Sequence, residues 1–200
     1  MKLRLLGLLA AALLAPALAH ADDVPASQGP ATDVFSYSTL ELDRVHAHSD
    51  YFADSSAGTG LKLSYDFDGV YLFGQWNKLD FDTLPGSHTL EGVGVGAHQA
   101  YNDHASFYID LAFLKDELSS SLGSRADDYW RVTYGFRLHS NDILEFDAAI
   151  FTERNTSFGA RPFGARLGLG LDFSSLALLA AIEHTADGNR TMLSLSWAYR

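Results

Sequence analysis

Three short stretches of this sequence hold residue types that could do covalent or metal chemistry. His139-Ser140-Asn141 sets an imidazole beside a hydroxyl, the pair in which a histidine base activates a serine against an ester. Asp80-Phe81-Asp82 holds two carboxylates one residue apart, and His46 and His48 share one side of an extended chain, where two imidazoles can hold a transition metal. Each set is incomplete. Adjacent His139 and Ser140 would point to opposite faces of a strand, and neither His88 nor His184, expected at the same end, is fixed in sequence as a third ligand. The expectation is therefore no enzyme, no metal site and no cofactor. With no cysteine in the chain, disulfides, thiolate chemistry and cysteine-zinc sites are excluded outright.

Charge is the more abundant signal. The chain carries 25 Asp+Glu against 14 Lys+Arg, a net charge of −11, which excludes a general nucleic-acid binder. Glu41, Lys62, Asp66, Asp110, Arg131, Arg137, Glu145, Asp147, Glu153 and Arg166 recur on the polar side of alternating segments, and could line an interior path or neutralise one another as a plug. A second acidic set, Asp50, Asp54, Asp80, Asp82, Asp116, Glu117, Asp127 and Asp128, falls in the longer spacers. Carboxylates are hard-cation ligands, so divalent bridging to lipopolysaccharide phosphates is one reading; a solvated loop rim is the plainer one, as none has calcium-loop spacing.

The elements that position these charges have a period of two. Thr59, Leu61, Leu63, Tyr65 and Phe67 share one face, while Gly60, Lys62, Ser64 and Asp66 share the other. The same contrast runs through Ser106 to Phe113, Trp130 to Leu138, Leu144 to Ile150, Gly164 to Phe173 and Thr191 to Tyr199. Weaker versions occupy Phe35 to Val45, Val70 to Lys78, Thr89 to His98 and Leu176 to His184, for about ten strands, eight being the alternative count. Short spacers such as Asp68-Gly69 trade places with longer ones such as His46 to Ala57 and Lys115 to Asp128. That pattern predicts an all-β, antiparallel, up-and-down transmembrane barrel with its apolar faces outward and aromatics near the strand ends. Glu91 falls on the apolar phase of its strand, which suits a position above the bilayer. A soluble barrel with the faces reversed is the structural rival.

Before the strands, Lys2 and Arg4, the apolar run Leu5 to Leu18 and Ala19-His20-Ala21 read as a cleaved signal peptide, residues 1–21. Residues 22–33 read as a flexible periplasmic lead-in rich in Pro, Gly and Ser, and residues 34–200 as the barrel domain.

The run Gly92-Val93-Gly94-Val95-Gly96, the segment Phe107 to Phe113 and a last strand ending in Trp197 and Tyr199 resemble small Gram-negative outer-membrane barrel proteins. The pattern is most similar to a porin-like family of plant-associated bacteria linked with quorum sensing and immunity activation. The resemblance implies fold and location; such proteins usually end in an aromatic, whereas here Arg200 follows Tyr199. His139-Ser140 also bears a superficial similarity to lipid A deacylase barrels, but without their spacing. Asp80-Phe81-Asp82 matches one of the two pairs of the ten-stranded outer-membrane proteases; the other, Asp-x-His, is missing.

The reading is thus a porin-like or structural outer-membrane barrel with a narrow or plugged polar lumen. The alternatives are a surface interaction protein acting through acidic loops and, further off, a barrel hydrolase. Expected partners are outer-membrane lipid and lipopolysaccharide, periplasmic chaperones and the barrel-assembly machinery, with no nucleic acid.

Overall fold

The computed structural model describes residues 35–49, 54–83, 85–120, 123–140, 143–155, 159–173, 175–185 and 188–199. The expected signal peptide, the lead-in, Asp50 and Asn141 lie outside them. Ten strands follow one another: β1 Thr39–Ser49, β2 Asp54–Asp66, β3 Val70–Phe81, β4 Gly86–Asn102, β5 Ala105–Ser120, β6 Gly123–His139, β7 Leu144–Asn155, β8 Gly159–Phe173, β9 Leu176–Thr185 and β10 Gly188–Ala198. Each pairs antiparallel with the next, and β1 closes on β10 from Thr39↔Ala198 to Ser49↔Gly188. Closure leaves no row of unpaired backbone amides, the condition that hydrocarbon imposes on any strand that crosses it.

The faces settle which side is wet. Leu42, Leu63, Leu72, Val93, Phe107, Ile150, Leu167, Ile182, Leu193 and Trp197 are all exposed, whereas Ser64, Ser106, Thr133, Glu145, Asp147, Glu153, Glu183 and Ser194 are buried. A water-soluble barrel has the opposite arrangement, and an apolar belt of this extent would drive aggregation in water. Aromatics ring both margins of the belt: Tyr65, Phe67, Phe107, Phe173 and Trp197 toward the chain termini, and Trp76, Phe113 and Trp130 toward the far end. Phe113 and Trp130 meet edge to face at 5.1 Å.

The hairpin at the terminal end between β2 and β3 is as tight as the chemistry allows. Asp68 (φ 60°) and Gly69 (φ 94°) occupy left-handed backbone and Phe67 N–H donates to Val70 O at 2.7 Å, a two-residue turn that favours an Asp-Gly pair.

Two expectations need correction. The first strand begins at Thr39, not Phe35; residues 35–38 precede it and turn into the barrel. The longer spacers are mostly strand, since β5 and β6 stay paired out to Ser120↔Gly123 and β1 and β2 out to Ser49↔Asp54. Beyond the belt both faces meet water, so the apolar contrast fades while the hydrogen-bond ladder continues. Glu91 belongs to this extension: it is exposed, one row beyond the outward Val93, with Lys115 Nζ at 3.6 Å.

Candidate functional site

The lumen is filled on one side and hollow on the other. On the filled side, inward aromatics lie across inward glycines of the neighbouring strand. A Cβ on Gly96 would come within 2.2 Å of Tyr71 Cζ, one on Gly135 within 2.2 Å of Tyr108 Cζ, and one on Gly164 within 2.1 Å of Phe151 Cζ. Glycine here supplies space, and that space lets each tyrosine reach past one strand to a carboxylate on the next. Tyr71 on β3 crosses β4 and donates to Asp110 on β5; Tyr108 on β5 crosses β6 and donates to Asp147 on β7 at 2.9 Å. The repeat ties alternate strands together inside the barrel, in addition to the sheet ladder.

Three arginines stiffen the same wall. Arg137 holds Glu145 through Nε and Nη2, at 2.7 and 2.9 Å. Arg166 Nε donates to Asp147 at 2.9 Å and its Nη2 to Tyr108 Oη at 2.6 Å. Arg131 Nε donates to Glu153 at 2.8 Å, and Nη2 also reaches Glu183 at 3.4 Å. Paired in this way, buried charges satisfy one another's hydrogen bonds, and removing one partner is costly.

Between this wall and β9, β10, β1 and β2 lies a cavity of about 180 Å³; on the latter strands several inward residues are short, Ser64, Ala177, Ala181, Ser194 and Ser196, beside the longer Leu179, Met192 and Arg190. The charges on β1 and β2 are loosely held. Lys62 Nζ stands 3.9 Å from Glu41, and Asp43 Oδ1 is buried with no hydrogen-bond partner among the described residues.

The terminal mouth is occupied by the segment before β1. Phe35 and Tyr37 are 4% and 8% exposed. Phe35 meets His139 edge to face at 4.6 Å; Tyr37 stacks on His98 at 3.9 Å and packs on Tyr71 at 5.1 Å. Arg137 lies over both rings and donates through Nη1 to Ser36 O at 3.1 Å. The Tyr37 hydroxyl is 3.0 Å from that of Ser106. A three-residue cork is thus held by rings, a cation and hydrogen bonds on β3 to β6.

The ten charges singled out in the sequence all lie on the inner face. Glu41, Lys62, Asp110, Arg131, Arg137, Glu145, Asp147 and Arg166 line the cavity; Asp66 pairs with His98 at 3.1 Å, and Glu153 with Arg131. Sequence reasoning missed Asp43, Glu183, Arg190, the cork and the inward tyrosines. Asp43 shares the parity of Glu41, and Phe35 and Tyr37 share that of Thr39, so alternation did carry a signal for them.

The other residue sets weighed in the sequence are placed as follows. His46 and His184 are exposed outward, whereas His88 turns inward to Asp116 at 2.5 Å. His139 enters the lumen, 3.2 Å from Glu145, while Ser140 is exposed. Among the described residues His139, Glu145 and Asp172 are close enough to share an ion, but Arg137 already occupies both oxygens of Glu145. The acidic loop set is dispersed too: Asp116 faces His88, Glu117 is 3.5 Å from Lys115, Asp127 is 2.9 Å from Arg125, and Asp54 and Asp80 belong to strands.

No protein-family model matches the sequence, and no curated protein does. Solved structures do resemble its architecture. The NanC porin superposes with a TM-score of 0.53 at 11% identity, covering 80% of this chain and 100% of its own. What the two share is the fold, a closed up-and-down antiparallel β-barrel. The N-terminal barrel domain of Pseudomonas aeruginosa OprF (TM-score 0.45, 10% identity, 82% and 100% covered) and P. aeruginosa OprG (0.44, 10%, 82% and 97%) are also similar.

Proposed function

We propose that this chain is a narrow, self-corked barrel of the bacterial outer membrane, which admits at most small hydrophilic solutes along its hollow side. One observation carries the reading: an apolar belt faces outward, while the polar interior keeps a cavity of about 180 Å³ beside a packed wall. A space of that size holds several waters. The cork then stands at the periplasmic mouth, because the strands run past the belt only at the opposite end and outer-membrane barrels keep their short turns in the periplasm. Residues 1–21 would serve as the export signal, with periplasmic chaperones and the barrel-assembly machinery receiving the chain. The resemblance to the porin-like family of plant-associated bacteria supports barrel and location; no feature of the lumen speaks for a signalling role.

Single-channel recording of the refolded barrel in planar bilayers tests this. Small discrete steps are expected, and the double variant Phe35→Ala/Tyr37→Ala should show larger ones without loss of heat-modifiable migration. A folded barrel that is silent in both forms overturns the pore and leaves a structural role.

A further inference from the structure

We propose that Arg44, Thr59 and Lys78 form an outward-facing site for the phosphate of an anionic lipid, in the leaflet around the barrel end remote from the termini. The inference rests on the membrane reading above and adds a specific ligand to it.

The three residues are cross-strand neighbours. Arg44 on β1 is in register with Thr59 on β2, and Thr59 with Lys78 on β3. All three are exposed and share the phase of the apolar belt. Adjacent strands lie about 4.8 Å apart, so the two cations stand about 10 Å from each other at the backbone with the threonine hydroxyl between them. Two long side chains converging from that spacing reach one tetrahedral oxyanion. The guanidinium supplies a fork of N–H donors, the ammonium a compact charge and the hydroxyl a central donor.

Their height on the barrel selects the ligand. The next row inward, Leu42, Leu61 and Trp76, follows the same register and is exposed and apolar. The cations therefore sit where hydrocarbon gives way to headgroups, with His46 and Asp80 one row further out. Among the described residues neither Arg44 nor Lys78 has an ion-pair partner. Lys115 on β5, whose register partner Glu91 is level with Trp76, is by contrast satisfied by Glu91 at 3.6 Å and Glu117 at 3.5 Å. In a chain of net charge −11, two neighbouring cations that lack a close ion pair among the described residues attract an anion to the belt margin. The carboxylates first considered for lipid bridging are engaged elsewhere or scattered; the donors for a lipid phosphate are on this row.

The phosphate could belong to a phosphorylated glycolipid or to a glycerophospholipid. Native mass spectrometry of the refolded barrel in dodecyl maltoside distinguishes them, with lipid A, phosphatidylglycerol and phosphate-free diacylglycerol as probes. One-to-one adducts are expected with lipid A, phosphatidylglycerol or both, and not with diacylglycerol. Arg44→Gln/Lys78→Gln should weaken them on the order of thirtyfold, given roughly a factor of five per surface cation, while Lys115→Gln leaves them unchanged. Equal adducts in the double variant, or equal binding of diacylglycerol, overturn the site. If the double variant does not fold, Arg44→Gln and Lys78→Gln singly carry the same readout. Failure of the unmodified chain to form a heat-modifiable barrel would instead overturn the membrane reading.

Discussion

The wall from β3 to β8 and the wall from β9 through β10 and β1 to β2 belong to one closed sheet, yet they treat their interior in opposite ways. The first packs tyrosines across glycines and ties the inward Arg131, Arg137 and Arg166 to carboxylates. The second carries Ser64, Ala177, Ala181, Ser194 and Ser196 beside longer residues such as Leu179 and Met192, and leaves Asp43 half paired. The contrast teaches that a small barrel need not choose between plug and pore for its whole circumference. One half can supply rigidity, and the other can stay hollow because that rigidity does not depend on it.

Removing a carboxylate from each wall gives the largest expected difference. Glu145→Ala strands the Arg137 guanidinium inside the barrel and should cost about 3 kcal/mol or more. Asp43→Asn, on the hollow wall, should stay within about 1 kcal/mol. Urea midpoints of the two refolded variants measure this, and equal losses would erase the distinction between the walls.

Adding a methyl group is a finer probe. Gly135→Ala places Cβ against the Tyr108 ring, pushes the hydroxyl off Asp147 and should cost about 1 to 3 kcal/mol. Gly168→Ala meets Leu179 Cδ1 at 3.2 Å and Asp147 Cβ at 3.3 Å, where a side chain can yield; it should stay within about 0.5 kcal/mol. Thermal melts in micelles separate them. The smallest stability effect belongs to Ser196→Phe, which fills the hollow: within about 0.5 kcal/mol, but with reduced conductance in the same bilayer assay that tests the cork. Unchanged conductance there would move the path off this wall.

Much of the barrel was legible because a membrane-spanning strand touches two different media, so Leu61, Leu63 and Tyr65 and their opposites Lys62, Ser64 and Asp66 separate by parity alone. The strand tops were not, because water wets both faces there: Lys115 to Asp128 reads as a loop although its ladder continues to Ser120↔Gly123. Inward charges such as Arg131 and Glu145 could be listed from sequence, but their pairing depends on register, which alternation does not fix. The bond from Tyr108 to Asp147 spans 39 residues and needs Gly135 to lie between them. The cork was hidden by continuity, since Phe35 and Tyr37 keep the parity of β1 and look like its first turns of alternation.

The seam between β1 and β10 gives the cork a mechanical meaning. Phe35 to Tyr37 leaves the sheet beside that seam but anchors on β3, β4, β5 and β6, so it forms a strut across the barrel mouth. A force that lifts β1 away from the seam also pulls on two aromatic rings held under a guanidinium. The joint between the first strand and the last is thereby braced by residues that precede both in the chain.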